Sequence, residues 1–241
     1  INRNGKYALR FADGDNDNLV AVRPATDTDH VVLVSASGNA CRFMPSEKKT
    51  RLSPETGETI ATFVVRVQGR VSQGVSGMKL SGNDKVIGMI VTDDFDTSVL
   101  TISRHGMAKR SRLGSGEMLP LSEEGTQIFD ESGNPILERD GYRRTNRGTK
   151  GVRTMSLRDG DQIVSVRQIP DLEDQLFMLT GSGMMIRMVS RQTKETLGKV
   201  TKGTRIMELR NRERTGFVDE IVFVARLPSE LIGTDESPED E

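Results

Sequence analysis

The side chains best suited to chemistry are cations set beside glycines. Arg143, Arg144, Arg147, Lys150 and Arg153 surround Gly148 and Gly151; Arg187, Arg191, Lys194, Lys199, Lys202 and Arg205 lead into and flank Gly203. Arg104, Lys109, Arg110 and Arg112 surround Gly106, and Arg42 and Arg70 stand at corresponding places in an earlier unit. Glycine lets backbone N–H groups approach an anion closely, and lysine or arginine neutralises it, so the pattern suits phosphates. Other chemistry is poorly supported. His30 and His105 have no Cys or carboxylate at a nucleophile–base spacing and read as surface residues. Tyr7 and Tyr142 read as packed rings with the hydroxyl at the surface. Asp13-Gly14-Asp15 and Asp159-Gly160-Asp161 lack the spacing and terminal Glu of a calcium loop, and read as turns.

These cations recur because the chain repeats. Asn146-Arg147-Gly148-Thr149-Lys150-Gly151-Val152 has relatives at Gly69-Arg70-Val71-Ser72-Gln73-Gly74-Val75 and around Gly203, and residues 4–15 look like the tail of another copy. A second motif repeats in step. Asp29 to Phe43 lines up with Thr97 to Arg110 and with Asp174 to Arg187, around Gly38, Gly106 and Gly183. The spacings of 68 and 77 residues imply unequal insertions. Units of this kind bury their apolar faces only against neighbours, so function belongs to the array.

Each unit must position its cations with short strands. Val31–Ser35 and Ala40–Phe43 around Ser37-Gly38-Asn39 predict a β-hairpin, as do the equivalents around Gly106 and Gly183. Leu19–Val22, Val86–Val91, Ile163–Val166 and Glu220–Ala225 predict further strands. Ile163–Val166 reads as a strand of the third unit, and 220–225 as a strand added to a neighbouring unit. Residues 44–67 and 113–141 are insertions: the first is expected as a surface loop leading into an extra or lengthened strand at Ala61–Val67, the second as a projecting hairpin over Gln127–Leu137. The expected fold is all-β, a β-propeller of repeated four-stranded blades and a partial array, because three full copies and two end pieces are visible. It spans 1–228, with blades expected upstream of a chain that begins at Ile1 within a repeat.

Composition narrows the function. Net charge is -1, but Ser229 to Glu241 carries six acids and no cation, so the first 228 residues carry +5. The acidic 229–241 stretch is expected as a disordered, solvated tail, able to compete for the basic surface. With 8 Phe, 2 Tyr and no Trp, neither a large aromatic pocket nor a base-stacking surface is suggested. The single Cys41 excludes internal disulfides and cysteine zinc sites and fits a cytoplasmic location. No stretch approaches the ~18 apolar residues of a membrane span, so no membrane partner is expected. If equivalent residues share one rim, the clusters form a belt for double-stranded DNA. The competing expectations are a propeller serving as a protein-interaction scaffold, and a propeller enzyme with a site at its axis.

Taken together, the glycine boxes, the stretch from Asp174 to Arg187 and the acidic ending resemble the C-terminal domain of the bacterial DNA gyrase A subunit and its topoisomerase IV counterpart. The resemblance implies a β-pinwheel, a propeller-like fold with exchanged strands, that wraps DNA round its basic edge to present a segment for strand passage. It implies no cofactor and no catalysis in this domain, with cleavage and ATP hydrolysis carried by the rest of the A subunit and the ATPase B subunit. The heptapeptide Gln-Arg-Arg-Gly-Gly-Lys-Gly of the gyrase A subunit is absent; Tyr142 to Gly148 is a loose echo of it, which leaves gyrase and topoisomerase IV both open.

Overall fold

The computed structural model describes residues 11, 17–53, 56–57, 59–63, 65, 67–69, 72–123, 126–196, 201–209, 211–212 and 217–232. Within them the chain runs as short antiparallel strands. The first hairpin is β1 (His30–Ser35) and β2 (Asn39–Phe43). It is followed by β3 (Lys48–Leu52), β4 (Thr59–Phe63) and β5 (Val86–Thr92). The second hairpin is β6 (Ser98–Ser103) and β7 (Met107–Arg112), after which come β8 (Met118–Pro120), β9 (Ser122–Glu123), β10 (Thr126–Gln127), β11 (Leu137–Arg139), β12 (Val152–Arg153) and β13 (Ile163–Ile169). The third is β14 (Gln175–Thr180) and β15 (Met185–Val189), then β16 (Thr204–Arg205), β17 (Asn211–Arg212), β18 (Phe217–Val218) and β19 (Ile221–Leu227).

Three blades result, each built on one hairpin. Their orders are β12-β2-β1-β5, β16-β7-β6-β13 and β15-β14-β19. The strand that follows each glycine box returns to its own hairpin: β5 to β1, β13 to β6 and β19 to β14. The box itself goes to the hairpin before: β12 adds to β2, and β16 adds to β7. Neighbouring blades are thus stitched by exchanged strands. Among the described residues β15 receives no such strand and stays an edge.

The strand β13 packs against both β5 and β19, which places these three on the inner side of the array. The box strands β12 and β16 lie at the opposite, outer edges of their sheets. Apolar seams join the blades. Val32, Val34 and Ile90 of the first meet Val99, Ile163 and Val166 of the second; Leu100, Ile102 and Ile169 of the second meet Leu176, Met178 and Ile221 of the third. Each box plugs a seam with the methionine four residues past its glycine, Met155 after Gly151 and Met207 after Gly203. Covering both faces changes the strand pattern. All six residues of β6 in the middle blade are buried, whereas β14 in the last blade alternates.

The hairpin turns are held by one repeated device. Asp84 accepts from Ser37 N at 2.9 Å and from its hydroxyl at 2.6 Å. Asp219 accepts from Ser182 N at 3.1 Å and its hydroxyl at 2.5 Å, and Asp161 accepts from His105 N at 3.2 Å. The Asp159-Gly160-Asp161 stretch is therefore a turn with a structural carboxylate. At Asp219, burial opposes ionisation, and the bonds from Ser182, Thr180 and Glu220 outweigh it, so its pKa lies below the ordinary value.

Several expectations need correction. Leu19–Val22 is not a strand; no partner pairs with it among the described residues, and Leu19, Val20 and Val22 are exposed. The 44–67 insertion holds the β3–β4 hairpin: the loop expected before Ala61 carries β3, and the extra strand is Thr59–Phe63 rather than Ala61–Val67. The second insertion does project, as two small ladders, β8–β11 and β9–β10, with a bridge from Phe129 to Pro135. His30 is buried rather than at the surface, and so is the Tyr142 hydroxyl, which bonds to Thr154. Residues Ser229–Leu231 form a 3-10 turn tied back by Ser229 N to Asp174 Oδ1 at 2.9 Å. Tyr7, the Asp13-Gly14-Asp15 stretch and residues 233–241 lie outside the described residues.

Candidate nucleic-acid interface

The glycine boxes form one continuous outer track. Lys79 N donates to Thr149 O at 2.9 Å, and at the equivalent position of the next pair Ser156 N donates to Thr201 O at 3.0 Å. Gly148 N adds a bond to Gly77 O at 2.8 Å, and Arg147 Nη1 reaches Ser76 O. The box glycine makes this packing possible. Gly151 (φ 74°) and Gly203 (φ 74°) lie so close to the preceding hairpin that a Cβ would stand 2.1 Å from Ala40 O and 2.2 Å from Ala108 O.

Along this track Lys150 and Arg153 of one box, and Lys202 and Arg205 of the next, occupy matching places on the outermost strands or just before them. All four are exposed, and none has a hydrogen-bond or ion-pair partner among the described residues. Arg143 and Lys194 are exposed in the same way. From Arg143 to Arg158 there is no acidic residue, so nothing within this stretch neutralises the track. Lys79 and Arg158 are further exposed cations on it that the glycine pattern alone does not single out, because each lies beyond its box.

Other predicted cations are already engaged. Arg104 contacts Glu220 at 3.2 Å, Arg112 contacts Asp96 at 2.7 Å and Asp140 at 3.7 Å, and Arg144 approaches Glu117 at 4.0 Å and Ser115 O at 3.3 Å. Arg191 pairs with Glu173. The exposed Arg187 bonds Gln175 and lies 5.5 Å from the Phe177 ring centre. Arg70 and Lys199 fall outside the described residues.

Three of the predicted contacts are buried in the seams rather than exposed on the track. Arg42, Lys109 and Arg110 are only 1%, 2% and 8% exposed. Arg42 Nε donates to His30 Nδ1 at 2.9 Å, and its Nη1 donates to Leu113 O at 2.9 Å, Gly114 O at 2.8 Å and Tyr142 O at 2.9 Å. Arg110 repeats the arrangement one blade on, with Nε to Thr193 O at 3.0 Å and Nη1 to Ser98 Oγ at 3.2 Å and Glu195 at 2.6 Å. These arginines clamp the segment that leaves the neighbouring unit. Burial, helped by Arg42 and Arg144, lowers the His30 pKa to about 4 against a weak opposing pull from Asp29, so the imidazole is a neutral acceptor. Burial likewise lowers Lys109, whose Nζ donates to Thr154 O at 2.7 Å, to about 8.

Among the described residues no group of three or more His, Cys, Asp or Glu side chains could hold a metal. No helix among them is long and apolar enough to cross a membrane. The family model described as the DNA gyrase C-terminal domain, beta-propeller, matches residues 64–93, 97–115, 137–170 and 174–215, just over half the chain. The chain belongs to this family. The unmatched 116–136 is the tip of the projecting insertion, outside the blades.

Similar proteins agree with that membership. The DNA gyrase A subunit of Rickettsia prowazekii (strain Madrid E) is 27% identical over 241 residues, covering 89% of this chain and 24% of that protein. Its counterpart in Staphylococcus epidermidis (strain ATCC 12228 / FDA PCI 1200) is 29% identical over 212 residues, covering 87% of this chain and 18% of that protein. The chain thus spans a quarter or less of these relatives. Among solved structures, the C-terminal domain of DNA topoisomerase IV aligns with a TM-score of 0.64 at 15% identity, covering 91% of this chain and 53% of that one. The E. coli ParC C-terminal domain aligns with a TM-score of 0.53 at 16% identity, covering 92% and 71%. These two show the shared fold.

Proposed function

We propose that this member of the gyrase C-terminal domain family binds and wraps double-stranded DNA round its outer edge. The observation that carries the reading is the continuous box track, on which Lys150, Arg153, Lys202 and Arg205 stand exposed at matching positions of adjacent blades. A duplex carries one charge per about 1.7 Å of axis, and each neutralised phosphate releases counterions. Smoothly bending 20–30 base pairs costs on the order of 1–6 kcal/mol, which a curved line of phosphate contacts offsets. Base reading is not needed for this.

In the whole protein the domain would serve an ATP-dependent type IIA topoisomerase in a bacterial cytoplasm, presenting a DNA segment for strand passage. The remainder of the A subunit and the ATPase B subunit would supply cleavage and energy. No residue of this domain is assigned a catalytic role and no cofactor is required. The test is binding to linear duplexes of increasing length across a salt series. Affinity that rises with length and falls steeply with salt supports wrapping; weak, length-independent binding refutes it.

One observation favours a second reading, a protein-interaction scaffold. Met118, Leu119, Phe129, Ile136 and Leu137 leave large apolar side chains exposed on the projecting insertion, between 38% and 54%. Such a patch suits a protein partner. This reading predicts binding that tolerates salt and disappears when residues 116–136 are deleted.

A further inference from the structure

Where the second hairpin meets the box strand capping the first, the seam opens into a cavity of about 150 Å³. Five cations line it, Lys109, Arg112, Arg139, Arg143 and Arg153, against one carboxylate, Glu138. Arg112 is paired with Asp96 and Asp140, and Arg139 Nη1 donates to Gly116 O at 2.7 Å. Arg143 and Arg153 stand exposed at the cavity's margin, while Lys109 is 2% exposed and lies within the seam.

The repeats provide an internal control for Lys109. Its position pairs with Thr101 across the hairpin; the same position is Cys41, paired with Leu33, in the first blade and Ile186, paired with Met178, in the third. The fold therefore accepts a small or apolar side chain here and does not require a cation. Burying an ammonium is costly unless polar groups or an opposite charge compensate. Lys109 donates to Thr154 O, beside the hydroxyls of Tyr142, Ser111 and Thr154, and desolvation draws its pKa down.

We propose that this inter-blade cavity is a binding site for a phosphoryl group, with Lys109 as its inner cation and Arg143 and Arg153 closing over the anion. Its volume is well below the roughly 300–1,000 Å³ of drug-sized pockets, so it takes a group rather than a large molecule. The group belongs to inorganic phosphate or a small phosphorylated metabolite, or to a DNA backbone seated on the rim. The site does not depend on the wrapping reading and stands even if the protein binds no DNA.

The test is a titration of the 241-residue protein with inorganic phosphate at constant ionic strength, against chloride, followed by backbone amide shifts. Saturable shifts at Gly141, Tyr142 and Thr154 are expected, with affinity reduced at least tenfold in Lys109→Met and several-fold in Arg143→Ala or Arg153→Ala. Cys41 and Ile186 indicate that Lys109→Met is accommodated, and Lys109→Gln provides a second variant if it is not. Adding duplex DNA then separates the sources: displacement of phosphate assigns the cavity to the backbone, and retention assigns it to a small anion. Shifts that do not saturate, or equal phosphate affinity in both Lys109 variants and the parent, overturn the proposal.

Discussion

Replacing Arg42 tests whether the repeated arginine is a structural clamp or a DNA contact. Its guanidinium makes four hydrogen bonds, to His30 Nδ1 and to the carbonyls of Leu113, Gly114 and Tyr142, at 2.8–2.9 Å. Arg42→Ala leaves His30 Nδ1 and the Gly114 and Tyr142 carbonyls without this donor, while Leu113 O keeps its bond from Tyr142 N. Each unpaired buried group costs about 1–3 kcal/mol. Three such groups, partly relieved by local relaxation, put the expected loss toward the lower end of their sum, on the order of 4 kcal/mol. In a chain of this size 1 kcal/mol moves Tm by about 2–4 °C, so the fall should be roughly 8–16 °C. Arg42→Lys should recover little, since one ammonium cannot span both the imidazole and three carbonyls. The assay is thermal and urea unfolding, with duplex affinity measured well below Tm. Stability within about 1 kcal/mol of the parent, or a large loss of DNA affinity in a fully folded variant, would refute the clamp.

Other consequences follow from the same structure. Gly151→Ala and Gly203→Ala place a Cβ 2.1–2.2 Å from a backbone oxygen and should destabilise by several kcal/mol, whereas Gly74→Ala, with nothing within 4 Å, should cost only about 1 kcal/mol for its positive φ; urea midpoints compare the three. The folded state holds His30 neutral to about pH 4 while the unfolded chain binds a proton near 6.5, so stability should fall as pH drops through that window, by on the order of 3 kcal/mol. His30→Gln should flatten that part of the stability–pH curve. Deleting residues 233–241, which carry five acids, should raise duplex affinity at low salt and matter little at high salt.

How much was legible in the sequence follows from which signals were local. Hairpins show themselves through glycine turns and apolar runs, and the three hairpins and the projecting insertion lie where those signals put them; the inner strands do so in position, but β5 and β13 pair with the hairpin before them rather than the one after. The repeat also pointed to equivalent rim positions, and Lys150, Arg153, Lys202 and Arg205 occupy them. Inside and outside were harder to tell. In an isolated sheet the adjacent Lys109 and Arg110 would face opposite sides and one would meet solvent, yet the middle blade is covered on both faces and buries both. His30 is buried for a related reason, as the acceptor beneath Arg42. Leu19–Val22 has strand composition, but a strand requires a neighbour, and none pairs with it among the described residues.

The central claim is that the outer box track holds DNA through its exposed cations. The most direct measurement is the salt dependence of duplex affinity for the parent and for a variant with Lys150, Arg153, Lys202 and Arg205 all changed to Gln. At about 0.9 counterions per phosphate contact, losing four contacts should flatten the log–log slope by about 3.6. Unfolding midpoints should barely move, since none of the four is buried. An unchanged slope would contradict the account.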